Sequence, residues 1–382
     1  MNASLTPPLR PAGALAGSAG LLTVDLGALA RNYEALRARA GGASVAGVVK
    51  ADAYGLGAER VARRLFEAGC RTFFVAHLCE ALALRPVLDA QAELFVLNGL
   101  APGDERLCAE NAILPVLNSL PQVEAWAALG RQSSRALPAA IQVDSGMSRL
   151  GLSPGEVEAL RADPSRLSGV ETVLVMSHLA CADEPAHPAN RQQLEAFRSL
   201  SALLPEARRS LANSAGIFLG ADFRFDLVRP GIAVYGGAPV GGVPNPMEPV
   251  VRLRARVVQL REVKAGAGIG YGFSRVADGP MRLATLSVGY ADGWLRSAGN
   301  RGVAAFRGHQ LPIAGRVSMD SIIVDAGDAP LEAGDLVDLI GPDASLDAAA
   351  AAAGTISYEI LTSLGHRFER RFIDTAEQGE RA

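Results

Sequence analysis

The sequence predicts an α/β chain: a (β/α)8 TIM-like barrel followed by a mainly β C-terminal domain. Two observations carry the prediction. Over roughly 200 residues, eight short β-like apolar runs alternate with amphipathic, helix-like stretches. After Gly236 the alternation stops, and β-branched runs follow one another across glycine turns.

The runs of the first domain are Val45–Val49, Thr72–Ala76, Leu94–Leu97, Ile113–Leu117, Ala139–Val143, Thr172–Met176, Ser210–Ala212 and Leu227–Val228. Helix-like segments lie between them, among them Ala58–Ala68, Glu80–Leu88, Gln122–Leu129, Gly155–Arg161 and Arg191–Leu204. Ser153 before Pro154 puts an N-cap oxygen and a proline where a helix begins, and Ser119–Pro121 reads the same way. A doubly wound open sheet is the main rival, and periodicity alone does not exclude it. The polar residues favour the barrel. Lys50, Asp144, His178, Asn213 and Arg229 each fall just past the C-terminal end of a separate run. A barrel gathers such positions at one mouth, whereas an open sheet strings them along an edge.

The second domain begins after a Gly/Pro-rich segment, Gly237–Pro249, which reads as a linker. Its strands are expected at Val250–Leu260, Met281–Val288, Gly302–Phe306, Ser321–Val324 and Asp335–Ile340, with a short alanine-rich helix at Ala348–Gly354. The expected organisation is a flexible tail over residues 1–20, a barrel over 21–240 and a β domain over 241–382.

Composition narrows the function classes. Apolar residues make up 49% of the 382, charged residues 20%, and the net charge is -3, with no basic face for a nucleic acid. No apolar run approaches the ~20 residues that a membrane helix needs. Met1–Gly20 lacks a basic segment leading into an apolar one, so it does not read as a secretory signal. Cys70, Cys79, Cys108 and Cys181 show no metal-ligand spacing and fit buried thiols of a cytoplasmic protein; no metal is expected.

Lysine is scarce. The cations are almost all arginine, and Lys50 and Lys264 are the two lysines of the chain. Lys264 sits in a solvated turn. Lys50 ends an apolar run and opens Ala51-Asp52-Ala53-Tyr54-Gly55-Leu56-Gly57, a tight turn with a phenol beside the amine. A desolvated amine loses proton affinity and becomes a better nucleophile toward an aldehyde, although a lysine that snorkels to the surface would fit the same run.

The Val49–Gly57 stretch resembles the pyridoxal phosphate (PLP) lysine motif of the alanine racemase family. Further similar elements follow in that family's order: Val143–Gly151, Ser177-His178-Leu179, Asn213-Ser214, Arg229-Pro230-Gly231-Ile232, Gly270-Tyr271-Gly272, Gly289-Tyr290-Ala291-Asp292-Gly293, Arg316–Asp320 and Thr355–Tyr358. The similarity spans about Leu21 to Phe372. The resemblance implies that Lys50 holds PLP as a Schiff base and acts as one base, with Tyr271 as the other base from the opposite face. A phenol of pKa about 10 then needs its proton affinity lowered. Arg229 would face the pyridine nitrogen with His178 bonded to it. Tyr54, Ser214, Tyr358 and the Gly231 and Ile232 N–H groups would hold the phosphate, with Asn213 nearby. Arg149 would sit by the cofactor's phenolic oxygen and, with Met319 and Asp320, by the substrate carboxylate, and Tyr290 would line the entrance.

The implied reaction interconverts L- and D-alanine, supplying D-alanine for the cell wall. The implied assembly is a head-to-tail homodimer in which Tyr271, Tyr290 and Met319 complete the partner's site. One departure stands out. Many family members carry a carbamylated lysine where this chain has Gln142, so a neutral amide or a bound anion must orient Arg149. A serine or broad-specificity racemase and a non-catalytic PLP-binding protein are the alternatives.

Overall fold

The computed structural model describes residues 17–375, which divide into two compact units. One holds Leu26–Glu248. The other joins residues 17–25 to Pro249–Asp374.

In the first unit, parallel strands run in chain order from Gly47–Val48 through Thr72–Val75, Glu93–Val96, Leu114–Leu117, Leu137–Gln142 and Val170–Met176 to Arg208–Ser210. Leu227–Val228 pairs in parallel with Ser44–Val45, the start of the first strand. Backbone bonds carry the ladder across both gaps. Asp226 and Arg229 donate to the Arg209 and Ala212 carbonyls at 3.0 and 2.9 Å, while Ser44 and Ala46 donate to Asp226 and Val228 at 2.9 Å each. The eighth strand therefore lies between the seventh and the first, and the sheet closes on itself. This settles the barrel against the open sheet. Phe73, Phe74 and Phe95 are fully buried, each stabilising by roughly 1.5–3 kcal/mol, with the rings of Phe74 and Phe95 stacked at 4.9 Å.

Helices cover the strands at Ala58–Glu67, Leu78–Leu84, Glu105–Glu110, Leu120–Gln132, Pro154–Ala162 and Ala189–Ser201. Ser153 caps as its sequence predicts, accepting from the Glu156 N–H while Glu156 returns a bond to the Ser153 N–H at 2.8 Å. Ser119 has N-cap geometry but makes no cap bond; the Leu120 N–H goes instead to Glu156 of the next helix at 3.2 Å. An additional helix, Leu26–Ala40, precedes the first barrel strand and is anchored by Tyr33, whose hydroxyl donates to the Val45 carbonyl at 2.9 Å.

The second unit is built on Val251–Val263. Its first half pairs antiparallel with Gly20–Asp25 and Leu336–Ile340; its second half pairs with Met281–Leu286. A register shift between Val257 and Gln259 lets one long strand serve both. Phe368–Ile373 runs parallel to Gly20–Asp25 at the sheet edge. The alanine-rich helix forms at Leu346–Ala353, capped by Ser345, whose hydroxyl accepts from the Ala348 N–H.

Both domain boundaries differ from those read in the sequence. Leu21–Val24 is an inner strand of the β unit, not part of the barrel, because its partners lie far down the chain, where no local pattern reveals them. Residues 241–248 stay with the barrel unit. Glu248 donates its N–H to Asn32 at 2.8 Å and pairs with Arg31, so the expected linker is tied back to the first helix. Residues 1–16 of the expected tail lie outside the described residues, and Gly20 already heads a strand.

Candidate active site

Lys50 stands at the C-terminal end of the first barrel strand, where the backbone turns sharply. Ala51, Asp52, Ala53 and Tyr54 all have φ between 53° and 58°, and Gly55 and Gly57 follow at 80° and 100°. Four consecutive L-residues in the left-handed region cost roughly 1–2 kcal/mol each, so tertiary contacts must hold this turn. Asp52 accepts from the Ala58 N–H at 2.7 Å, and Glu80 accepts from Ala51, Ala76 and His77 at 2.5, 2.8 and 2.9 Å. The Lys50 amine is held below the usual lysine range, first by burial and then by Arg149, with Glu80 opposing.

Asp144, His178, Asn213 and Arg229 sit past the ends of other barrel strands, so the five positions read from the sequence do share one end of the barrel. Arg229 is 4% exposed, and its guanidinium bonds the Ser210 hydroxyl and, at 2.5 Å, the Ser177 carbonyl. Burial pushes it down to about 9. The expected bond is not found: among the described residues, no hydrogen bond joins the His178 ring to Arg229, whose bonds go to Ser210 and Ser177. His178 instead feels the charge: burial, then Arg229, Arg149 and Lys50, push its imidazole down to about 3.

Tyr54, Ser214 and Gly231 come together. A Cβ on Gly231 would lie 2.1 Å from the Tyr54 hydroxyl, so only glycine fits. Tyr54 packs on Tyr235 with ring centroids 4.5 Å apart, and Tyr235 donates to the Val48 carbonyl at 2.8 Å. The Gly231 N–H, expected to face an anion, donates to the Ser214 hydroxyl at 2.8 Å, and Ala233 donates to the same oxygen at 3.3 Å. Ile232 is buried beside them. Asn213 braces the turn that follows it, accepting from the Gly216 N–H at 2.9 Å.

Arg149 lies on an exposed loop shaped by Asp144, which accepts from the Gly146, Met147 and Ser148 N–H groups. Gln142 is buried at the end of its strand. No hydrogen bond joins the two among the described residues.

The remaining sites belong to the β unit. Tyr271 lies between Gly270 and Gly272, both at φ 68°, and is 70% exposed. Tyr358 opens the helix Ser357–Ser363 and is also exposed. Tyr290 and Ala291 donate to the Ser318 and Met319 carbonyls at 3.0 Å each, which fastens the two sequence elements carrying Tyr290, Met319 and Asp320 together. Gly289 allows this approach, since its Cβ would meet the Met319 carbonyl oxygen at 2.3 Å. Arg367 completes the clamp, bonding the buried Asp292 through two nitrogens and Asp320 through a third. Sequence reading missed Arg367; a buried aspartate demands a cation but does not say which.

Comparisons with known proteins decide the family. The pattern of the alanine racemase N-terminal domain matches residues 24–239, and that of its C-terminal domain matches 250–372. The chain belongs to the alanine racemase family. Among its racemase relatives, the catabolic alanine racemase of Agrobacterium fabrum is 56% identical over 363 residues, 94% of each chain. The Bartonella henselae alanine racemase, solved with covalently bound pyridoxal phosphate, matches with TM-score 0.90 at 46% identity, covering 93% of this chain and 100% of that one. The biosynthetic alanine racemase of Pseudomonas aeruginosa matches with TM-score 0.87 at 37% identity, covering 93% and 99%. The racemase fold read from the sequence, barrel first and β domain second, is borne out.

Among the described residues, no helix is long and apolar enough to cross a membrane.

Proposed function

We propose that this chain is a PLP-dependent alanine racemase that uses Lys50 and Tyr271 as opposed acid–base groups. The observation that carries the reading is the charge pattern of the barrel mouth. An amine whose proton affinity is lowered by burial and by Arg149 shares the barrel mouth with Arg229, a buried guanidinium whose bonds go to a hydroxyl and a carbonyl rather than a carboxylate.

The residues fit PLP. Burial and Arg149 lower the proton affinity of Lys50, which favours the neutral amine that an aldehyde needs. Arg229 keeps its own proton and suits an unprotonated ring nitrogen. Tyr54, whose hydroxyl packs where a Gly231 side chain would stand, would hold the phosphate with Ser214 and Ile232, and Tyr358 would add a further hydroxyl. When bound, PLP supplies an electron sink for the pair left when the substrate's Cα–H bond breaks.

Lys50 would hold the cofactor and, as a free amine, move a proton at Cα on one face; the Tyr271 hydroxyl would serve the other face. Arg149, Met319 and Asp320 orient the substrate carboxylate, Tyr290 lines the way in, and His178, held neutral, adds no further charge beside Arg229. Enantiomers have equal free energies, so the site itself favours neither the biosynthetic nor the catabolic direction.

The active form is a head-to-tail homodimer in the cytoplasm. Tyr271, Phe273, Ile356 and Met319 are exposed apolar and aromatic side chains of the β unit, of the kind that suits contact with a partner. All four cysteines are free thiols, in keeping with a reducing compartment.

The test is conversion of L-alanine, L-serine, L-lysine and L-arginine by the PLP-loaded protein, with borohydride capture of the cofactor. Alanine turning over fastest and PLP trapped on Lys50 are expected. Trapping elsewhere, or no racemisation of any amino acid, rejects the assignment. For the dimer, Lys50→Ala and Tyr271→Phe chains are mixed. Shared sites restore up to about a quarter of wild-type activity, and mixtures that stay inactive argue against sharing.

A further inference from the structure

Hydrogen bonds brace both ends of the left-handed turn that follows Lys50. Ala53 donates to Val49 at 2.9 Å, Leu56 to Ala53 at 3.2 Å and Gly57 to Asp52 at 2.9 Å. The Asp52 carboxylate closes the exit of the turn on the Ala58 N–H. Its entry is held from outside.

Glu80 supplies that hold from the first turn of the helix Leu78–Leu84. One carboxylate oxygen accepts from Ala51, the residue after Lys50. The other accepts from Ala76 and His77 at the end of the adjacent barrel strand. A single side chain thus ties the lysine turn to the neighbouring strand. Both oxygens must accept, which a carboxylate does and an amide cannot, because its nitrogen would meet an N–H.

The same carboxylate acts on the Lys50 amine through space. Around that amine stand Arg149, Glu80 and, in the same field, His178. Around Glu80 stand Asp52 and Glu59, which line the same cavity of about 290 Å3, and His77. Of the acidic groups here, Glu80 is the one that opposes burial and Arg149 at Lys50.

We propose that Glu80 is the positioning residue for Lys50: its carboxylate fixes the left-handed turn to the next strand and keeps a negative charge beside the amine. This role rests on the reading that Lys50 carries the cofactor.

The test exploits the scarcity of lysine. With Lys50 and Lys264 the two lysines of the chain, amine labelling of the full-length, PLP-free protein across neutral to alkaline pH can be read residue by residue by mass spectrometry. In Glu80→Gln the Lys50 labelling midpoint falls while that of Lys264 stays. PLP uptake at Lys50 slows by about tenfold or more. Glu80→Asp keeps the charge but not the reach: its midpoint stays near wild type while its uptake slows.

A Glu80→Gln chain with wild-type midpoint and uptake overturns the proposal. If that chain does not fold, Glu80→Asp decides, and unchanged uptake overturns the role. Wild-type protein that takes up no PLP at Lys50 would instead defeat the functional reading, and the labelling midpoints would still judge Glu80.

Discussion

Arg367 grips the fully buried Asp292 at both carboxylate oxygens, Nε to Oδ1 at 2.6 Å and Nη2 to Oδ2 at 2.9 Å. Its third nitrogen reaches Asp320 at 2.7 Å. The planar fork matches two carboxylates at once, a geometry that a lysine ammonium does not reproduce. Asp292 also accepts from the Gly289 N–H at 2.9 Å, so one guanidinium fixes the segments carrying Tyr290, Met319 and Asp320.

Arg367→Ala therefore leaves a buried carboxylate without its cation. The thermal midpoint should fall. A displacement of about 1 Å in the substrate loops would cut turnover by up to about 100-fold. Arg367→Lys should recover stability better than turnover. Calorimetry and steady-state racemisation of both variants check this; equal turnover in wild type and Arg367→Lys would count against the fork.

Gly231 should tolerate no side chain. Alanine there places a methyl 2.1 Å from the Tyr54 hydroxyl, and overpacking of this kind costs about 1–3 kcal/mol. Gly231→Ala should fold with a lowered midpoint and hold PLP more weakly, measured by equilibrium dialysis. Wild-type affinity would show that Tyr54 and Gly231 do not frame the phosphate.

His178 gives stability a pH dependence. Its imidazole titrates near 6.5 in the unfolded chain but is pushed down to about 3 in the fold. Between those values the unfolded chain binds the extra proton, so this contribution to stability falls as pH drops through that window. His178→Asn should flatten the decline in thermal midpoint between pH 7 and about pH 4. An equally steep decline in the variant would place the effect on other groups.

Much of this architecture was legible in local pattern. The run Leu227–Val228 appears as a strand with the same bounds, and the Ser153–Glu156 cap forms where the spacing put it. The barrel mouth was legible because polar residues interrupt apolar runs at equivalent ends. What stayed hidden depends on distant partners. Leu21–Val24 reads as a strand anywhere, and only its pairing with Val251–Arg254 and Glu369–Phe372 assigns it to the β unit. Arg367 is one arginine among many until Asp292 is seen buried. Ala51 has no propensity for left-handed backbone; Glu80, outside the motif, accepts its N–H.

The central claim is that an amine and a phenol act on opposite faces of one substrate carbon. Tyr271→Phe removes the phenol oxygen from an exposed side chain, so PLP content and thermal midpoint should match wild type. Its racemisation should fall about 100- to 10,000-fold, the usual weight of general acid–base catalysis. In D2O it should still exchange the α-hydrogen of one alanine enantiomer while converting little to the other. Unchanged racemisation in both directions would contradict the account.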